Sequence, residues 1–173
     1  MFISKNWFLL VGIACSLSFW HFGLTFSGLA GALFLAALVV LALIDAKTFL
    51  LPDVITLPLL VLGFVVNAWG VFVPTDTALV GALLGYSSLW CVNRGFKWVR
   101  GQEGMGHGDL KLLAAEGAWL GWVDLPDIIL IAACLAVFFG FIRIVFGKAD
   151  LDTPLPFGPF LAIGGAVVLL LLS

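Results

Sequence analysis

The chain has 173 residues, 63% of them hydrophobic and 10% charged, with eight Lys+Arg, ten Asp+Glu and a mean hydropathy of +1.22. Soluble domains run near 45–50% apolar and about 25% charged, so a water-soluble globule, a disordered chain and a nucleic-acid binder are excluded; eight basic residues are too few to track a phosphate backbone. Cys15, Cys91 and Cys134 stand alone and never adopt Cys-x-x-Cys spacing, which excludes a disulfide-stapled module and reads as packing.

What remains is an all-α, polytopic transmembrane helix bundle. A membrane helix needs about 20 largely apolar residues, with segments of about 17–25 in use. Seven candidate spans follow in chain order: Trp7–Phe22, Gly28–Ile44, Pro52–Val73, Thr77–Val99, Asp109–Trp122, Asp127–Phe146 and Pro156–Leu172. The first has a charged residue, Lys5, before an apolar run, like a signal peptide. Trp20-His21-Phe22-Gly23 follows it instead of a small-residue cleavage site, so it is expected to be retained. The fifth, at 14 residues, is short and is expected to begin inside the membrane, to dip in and return, or to tilt little. There is no repeat and no low-complexity linker, so residues 1–173 are expected to form a single membrane-embedded domain.

Basic residues set orientation. With seven spans, Lys5, Lys47, Arg94, Lys97, Arg100, Lys111, Arg143 and Lys148 all fall at the N-terminus or near the loops after spans two, four and six. Asp76, Asp124 and Asp127 fall on the other side. This predicts a cytoplasmic N-terminus and an outward C-terminus. Gly81-x-x-x-Gly85 and Gly117-x-x-x-Gly121 read as small-residue faces where helices approach closely. The glycine-rich segment from about Arg100 to Gly108 is the longest loop and the first place to look for function.

Acidic residues inside membrane helices cost at least about 2.5–3.5 kcal/mol each at the centre. Asp45, Asp109 and Glu116 therefore need a reason. Counting about 1.5 Å per residue from Gly28 puts Asp45 some 25 Å along its span, near the cytoplasmic boundary. Asp109 opens the fifth span from that same side. The two lie 64 residues apart in sequence, and only the tertiary fold could bring them together. Such a pair suits an aspartic protease. One carboxylate is ionised and takes a proton from water; the other is protonated and polarises the peptide carbonyl. Gly106 and Gly108 would let a substrate backbone approach and permit positive φ.

Plainer readings exist for each acid. Asp109 suits a helix cap, and Asp45 could pair with Lys47 or Lys111. Asp53, after Pro52, reads as a helix start. Glu116 lies two turns after Asp109 on the same face and is read as lining a polar cavity. His107 reads as a spacer with a polar tip, and His21 beside Trp20 as an interface anchor. Pro156-Phe157-Gly158-Pro159 breaks regular helix and is read as lining a substrate groove, although Pro near a helix start also explains it.

Leu43-Ile44-Asp45-Ala46-Lys47-Thr48-Phe49-Leu50-Leu51-Pro52-Asp53 resembles the first active-site segment of the type IV prepilin peptidases. Gly104-Met105-Gly106-His107-Gly108-Asp109-Leu110-Lys111-Leu112 is similar to their second, with the Gly-x-Gly-Asp motif of the wider class of intramembrane aspartic proteases. The likeness continues through Gly117-Ala118-Trp119-Leu120-Gly121 and Pro154-Leu155-Pro156-Phe157-Gly158-Pro159. The resemblance implies an endopeptidase that removes the leader from type IV prepilins or type II secretion pseudopilins. It would act at the cytoplasmic face of the bacterial inner membrane, cutting after a glycine and before a phenylalanine. It implies catalysis by Asp45 and Asp109, not Asp53, with no metal or other cofactor. Full-length relatives carry two Cys-x-x-Cys pairs in a domain linked to N-methylation; this sequence has none, so peptidase activity without methyl transfer is expected. Two other readings stay open: a proton- or cation-coupled carrier using the same carboxylates, and an inactive pilin-binding assembly subunit.

Overall fold

The computed structural model describes residues 7–101, 104–147 and 155–171. Lys5, Lys148 and Pro154, on which part of the sequence reading falls, lie outside the described residues. Among the described residues the protein is all helical. The helices are α1 (Trp7–Phe22), α2 (Phe26–Thr48), α3 (Asp53–Asn67), α4 (Thr75–Arg100), α5 (His107–Leu120), α6 (Leu125–Val145) and α7 (Gly158–Leu171). Each corresponds to one expected span.

The chain runs up and down. The starts of the odd-numbered helices and the ends of the even-numbered ones share one end of the bundle. Lys47, Arg94, Lys97, Arg100, Lys111 and Arg143 lie towards this end, and Asp76, Asp124 and Asp127 lie at the other. α2 and α6 are each long and apolar enough to cross a membrane; α1, α3 and α7 are shorter apolar helices. α6 leaves Val137, Phe138, Phe141 and Val145 exposed. Water would not tolerate so continuous an apolar surface, and a bilayer is its natural solvent.

α5 is the axis of the fold. It packs against α3, α4, α6 and α7, and every residue from Asp109 to Leu120 except Lys111 is buried. Its 14 residues span only about 21 Å, against about 34 Å for α2 and about 39 Å for α4. Helices around it shield it from lipid, so it need not cross the bilayer by itself. The expectation of a short fifth span has this physical reason.

Glycines set the spacing. The two small-residue motifs read from the sequence face each other: a Cβ on Gly81 would run into the Gly117 carbonyl, and one on Gly117 into the Gly81 carbonyl. One turn on, a Cβ on Gly85 would come within 2.6 Å of the Leu113 carbonyl oxygen. Gly63 of α3 leaves room for Trp119 of α5, which stacks on Phe34 at 4.8 Å and donates its indole N–H to the Leu59 carbonyl at 2.8 Å.

Three expectations change. α3 stops at Asn67 instead of Val73, because Asn67 turns the chain. Its Oδ1 accepts from the Phe72 and Val73 amides, its Nδ2 donates to the Ala118 and Trp119 carbonyls, and Gly70 follows with φ 64°. α2 runs four residues past Ile44, so Asp45 sits inside its last turn. Cys91 and Cys134 are exposed, so of the three cysteines the packing reading suits only partly buried Cys15.

The contact between α4 and α5 yields a test. Gly81→Leu should cost about 1–3 kcal/mol or more, because the backbones must separate. Gly12→Leu should be near neutral, since nothing lies within 4 Å of its Cβ position. Thermal unfolding in detergent measures both, and equal midpoints would contradict this packing.

Candidate active site

The short central helix α5 leaves a recess at its N-terminus. The recess has a volume of about 310 Å³. Its floor carries Asp45 from α2 and Asp109 from α5, and Gly104, Met105, Gly106, Leu155, Pro156 and Phe157 close around them with Phe49. Both aspartates are buried, and each lies within electrostatic reach of the other. Among the described residues of the lining, they are the only side chains with polar oxygen or nitrogen atoms.

Each carboxylate is fixed by a helix start. Asp45 Oδ2 accepts the Gly158 amide at 3.0 Å, the first amide of α7. That terminus carries a partial positive charge, which favours an anion there. The fit needs glycine: a Cβ on residue 158 would come 2.7 Å from Asp45 Oδ2. Asp109 sits in the first turn of α5, and the Gly106 backbone N–H reaches its carboxylate. This is the reciprocal half of a capping box. Asp109 is therefore not the N-cap itself; Gly106 is. Asp109 Oδ1 is buried and has no protein hydrogen-bond partner among the described residues.

The loop before α5 is held from below. Asn93 of α4 is buried, and its Oδ1 accepts from the Gly104 amide at 3.0 Å and the Met105 amide at 3.2 Å. On the α2 side, the Phe49 amide donates to the Asp45 carbonyl at 2.9 Å. Phe49 has φ 55° and ψ 26°, a left-handed conformation that glycine usually fills at a helix end. A bulky side chain there costs roughly 1–2 kcal/mol.

The other expected site residues are placed as follows. Pro156 and Phe157 line the recess, Gly158 binds Asp45, and Pro159 lies in the first turn of α7, outside the lining. Gly106 lines the recess with φ −68°. Gly108 is helical and packs on Leu51, where a Cβ would come within 2.7 Å of Leu51 Cβ. Neither glycine takes the positive φ that the sequence reading allowed. The helix itself accounts for this, since Gly106 and Gly108 already serve its cap and first turn. Lys111 binds Asp53 at 2.6 Å, not Asp45. Asp53 begins α3, as its sequence context predicts, and is more than half exposed. His107 is the exposed first residue of α5.

Glu116 does not line the recess. It is fully enclosed against Gly165 of α7, and neither carboxylate oxygen has a protein hydrogen-bond partner among the described residues. The two turns of α5 that separate it from Asp109 are packed with Leu112 and Leu113, so the same helical face that opens at Asp109 is closed at Glu116.

A larger cavity, about 670 Å³, lies between α4 and α6 and is lined by Leu84, Ser88, Trp122, Leu125 and Ile129 among others. It holds no carboxylate and no histidine, so the smaller recess is the candidate site. Sequence reading missed Phe49, Asn93, Met105 and Leu155. Asn93 carried a signal, as a lone amide in an apolar helix. The other three are apolar, and their only signal was that they lie within the segments that carry the family resemblance.

The fold and the recess define a polytopic membrane protein with a paired-carboxylate site at one end of the bundle. Residues 32–141 match the model of the Type IV leader peptidase family, and the chain belongs to that family. It is similar to proteins named prepilin leader peptidase/N-methyltransferase. It is 50% identical over 148 residues to the one from Burkholderia pseudomallei, covering 86% of this chain and 48% of that protein. It is 50% identical over 151 residues to the one from Pseudomonas aeruginosa (87% and 52%) and 47% identical over 174 residues to the one from Stutzerimonas stutzeri (97% and 59%). The chain spans about half the length of the curated relatives it matches. No solved structure matches the chain.

Glu116 supplies a stability prediction. An enclosed carboxyl without a partner pays its desolvation with no return. Glu116→Leu should raise stability by about 1–3 kcal/mol; a lowered thermal midpoint in detergent would show that the carboxyl has a partner.

Proposed function

We propose that this chain is an aspartic endopeptidase that removes leader peptides from type IV prepilins or type II secretion pseudopilins. The observation that carries the reading is the recess in which α2 and α5 present Asp45 and Asp109 side by side. Family membership and the names of the relatives give the substrate class. The basic residues gathered at the same end support a cytoplasmic active site in a bacterial inner membrane.

The chemistry uses one water. The ionised aspartate takes its proton as the oxygen attacks the scissile carbonyl. The protonated aspartate donates to the carbonyl oxygen, and the two carboxyls share a single proton between them. Collapse of the tetrahedral intermediate breaks the C–N bond, and the leaving nitrogen takes a proton from the aspartate that received it. Gly158 keeps Asp45 in place through its amide, Gly106 does so for Asp109, and Asn93 fixes the loop between them. No metal enters this scheme. Pro156 and Phe157 wall the recess on the α7 side, and prepilin precursors are the partners it would admit from the bilayer.

Mass spectrometry of a type IV prepilin co-expressed with this chain tests the reading. A mature, unmethylated amino terminus is expected. An uncut precursor beside correctly inserted protein would favour a pilin-binding subunit without activity. Asp45→Asn and Asp109→Asn should each abolish cleavage while the protein still inserts. Asp53→Asn should stay within about fivefold, because an exposed ion pair is worth roughly 0–1 kcal/mol. Gly158→Ala should reduce cleavage on the order of 10²-fold, since it displaces Asp45 without removing it. Full activity in either single aspartate variant would refute the pair.

A further inference from the structure

The side chains that line the recess are of two kinds. Asp45 and Asp109 carry carboxylates. Phe49, Met105, Leu155 and Phe157 supply apolar wall, and their side chains offer a substrate neither charge nor a hydrogen-bonding oxygen or nitrogen. A charged or amide side chain placed against that wall would lose water and gain no partner. A bulky apolar side chain would bury surface there.

Phe49 is the member of this wall whose conformation calls for an explanation. It caps the C-terminus of α2, where a left-handed residue is needed and glycine or asparagine is the ordinary choice. It is the one residue other than glycine with positive φ among those described. Backbone strain of this kind persists where surrounding structure holds it, and it clusters at ligand sites. The surroundings do hold it. The Phe49 amide donates to the Asp45 carbonyl at 2.9 Å, and the Thr48 hydroxyl bonds the Ile44 carbonyl at 2.9 Å and accepts the Leu50 amide at 3.3 Å. The ring is half exposed, so it is not there to fill the core. Its backbone is tied to the same helical turn as the acid.

On the peptidase reading above, we infer that Phe49 is a specificity-determining residue: with Met105, Leu155 and Phe157 it forms a subsite for a bulky apolar side chain adjoining the scissile bond. The strained backbone is what lets an aromatic ring cap α2 and still face the recess beside Asp45.

Phe49→Gly separates this role from helix capping, because glycine accepts φ 55° without strain. Purified protein and the variant are given prepilin substrates in which each residue flanking the cleavage point is varied among Phe, Leu, Ala and Ser. The unsubstituted protein should prefer a bulky apolar residue at one of the two positions. Phe49→Gly should keep or raise its thermal midpoint and lose that preference, with kcat/KM falling about tenfold or more on the bulky substrate. On the small-residue substrate it should change by less than about twofold. An equal loss on every substrate would make Phe49 a membrane-interface anchor or a structural cap and overturn the subsite, as would no loss at all. Failure of the unsubstituted protein to cut any substrate would overturn the peptidase reading itself, and the subsite with it.

Discussion

The close approach of α4 and α5 governs this molecule. At Gly81 and Gly117 two backbones touch where any side chain would force them apart. In lipid the helices have little hydrophobic reason to associate, so van der Waals contact between small residues does that work. This contact lets a 14-residue helix sit at the centre of the bundle. α5 is shorter than α2, α4 and α6, and its N-terminus ends in a recess. Because it is sheathed in protein, its polar first turn escapes the lipid.

The recess is then finished by backbone amides. Asp45 is on α2, but its bond partner is the first amide of α7. Asp109 is on α5 and is held by the residue that caps that helix. Helix starts supply donors that no side chain has to provide. Gly158 is small because the Asp45 carboxylate must reach its amide. Apolar side chains complete the lining, among them Phe49 in a conformation suited to glycine.

Buried amide side chains hold the turns. Asn67 ends α3 and caps the last carbonyls of α5, and Asn93 fixes the loop that leads into α5. In a bilayer a free amide is expensive, so each is satisfied by backbone that would otherwise lack partners. Glu116 breaks this pattern. It is enclosed with no hydrogen-bond partner among the described residues, which marks it as a stability cost to the bundle and not as part of the recess.

The composition and the spacing of apolar runs determined the class, the number of helices and nearly all their limits, because in lipid every spanning segment must be an apolar helix. The glycine motifs announced a close contact, though not that they would meet each other. Asp45 and Asp109 stood out because charge is costly in such helices, and the family could be recognised from the segments around them. Tertiary structure alone decided that the two acids share a recess, that Gly158 binds one of them, that Lys111 goes to Asp53 and that Glu116 is sealed away. These depend on how helices rotate and stagger against one another. A residue's spacing along its own helix fixes its face, but which neighbour that face meets is set by packing between segments distant in sequence.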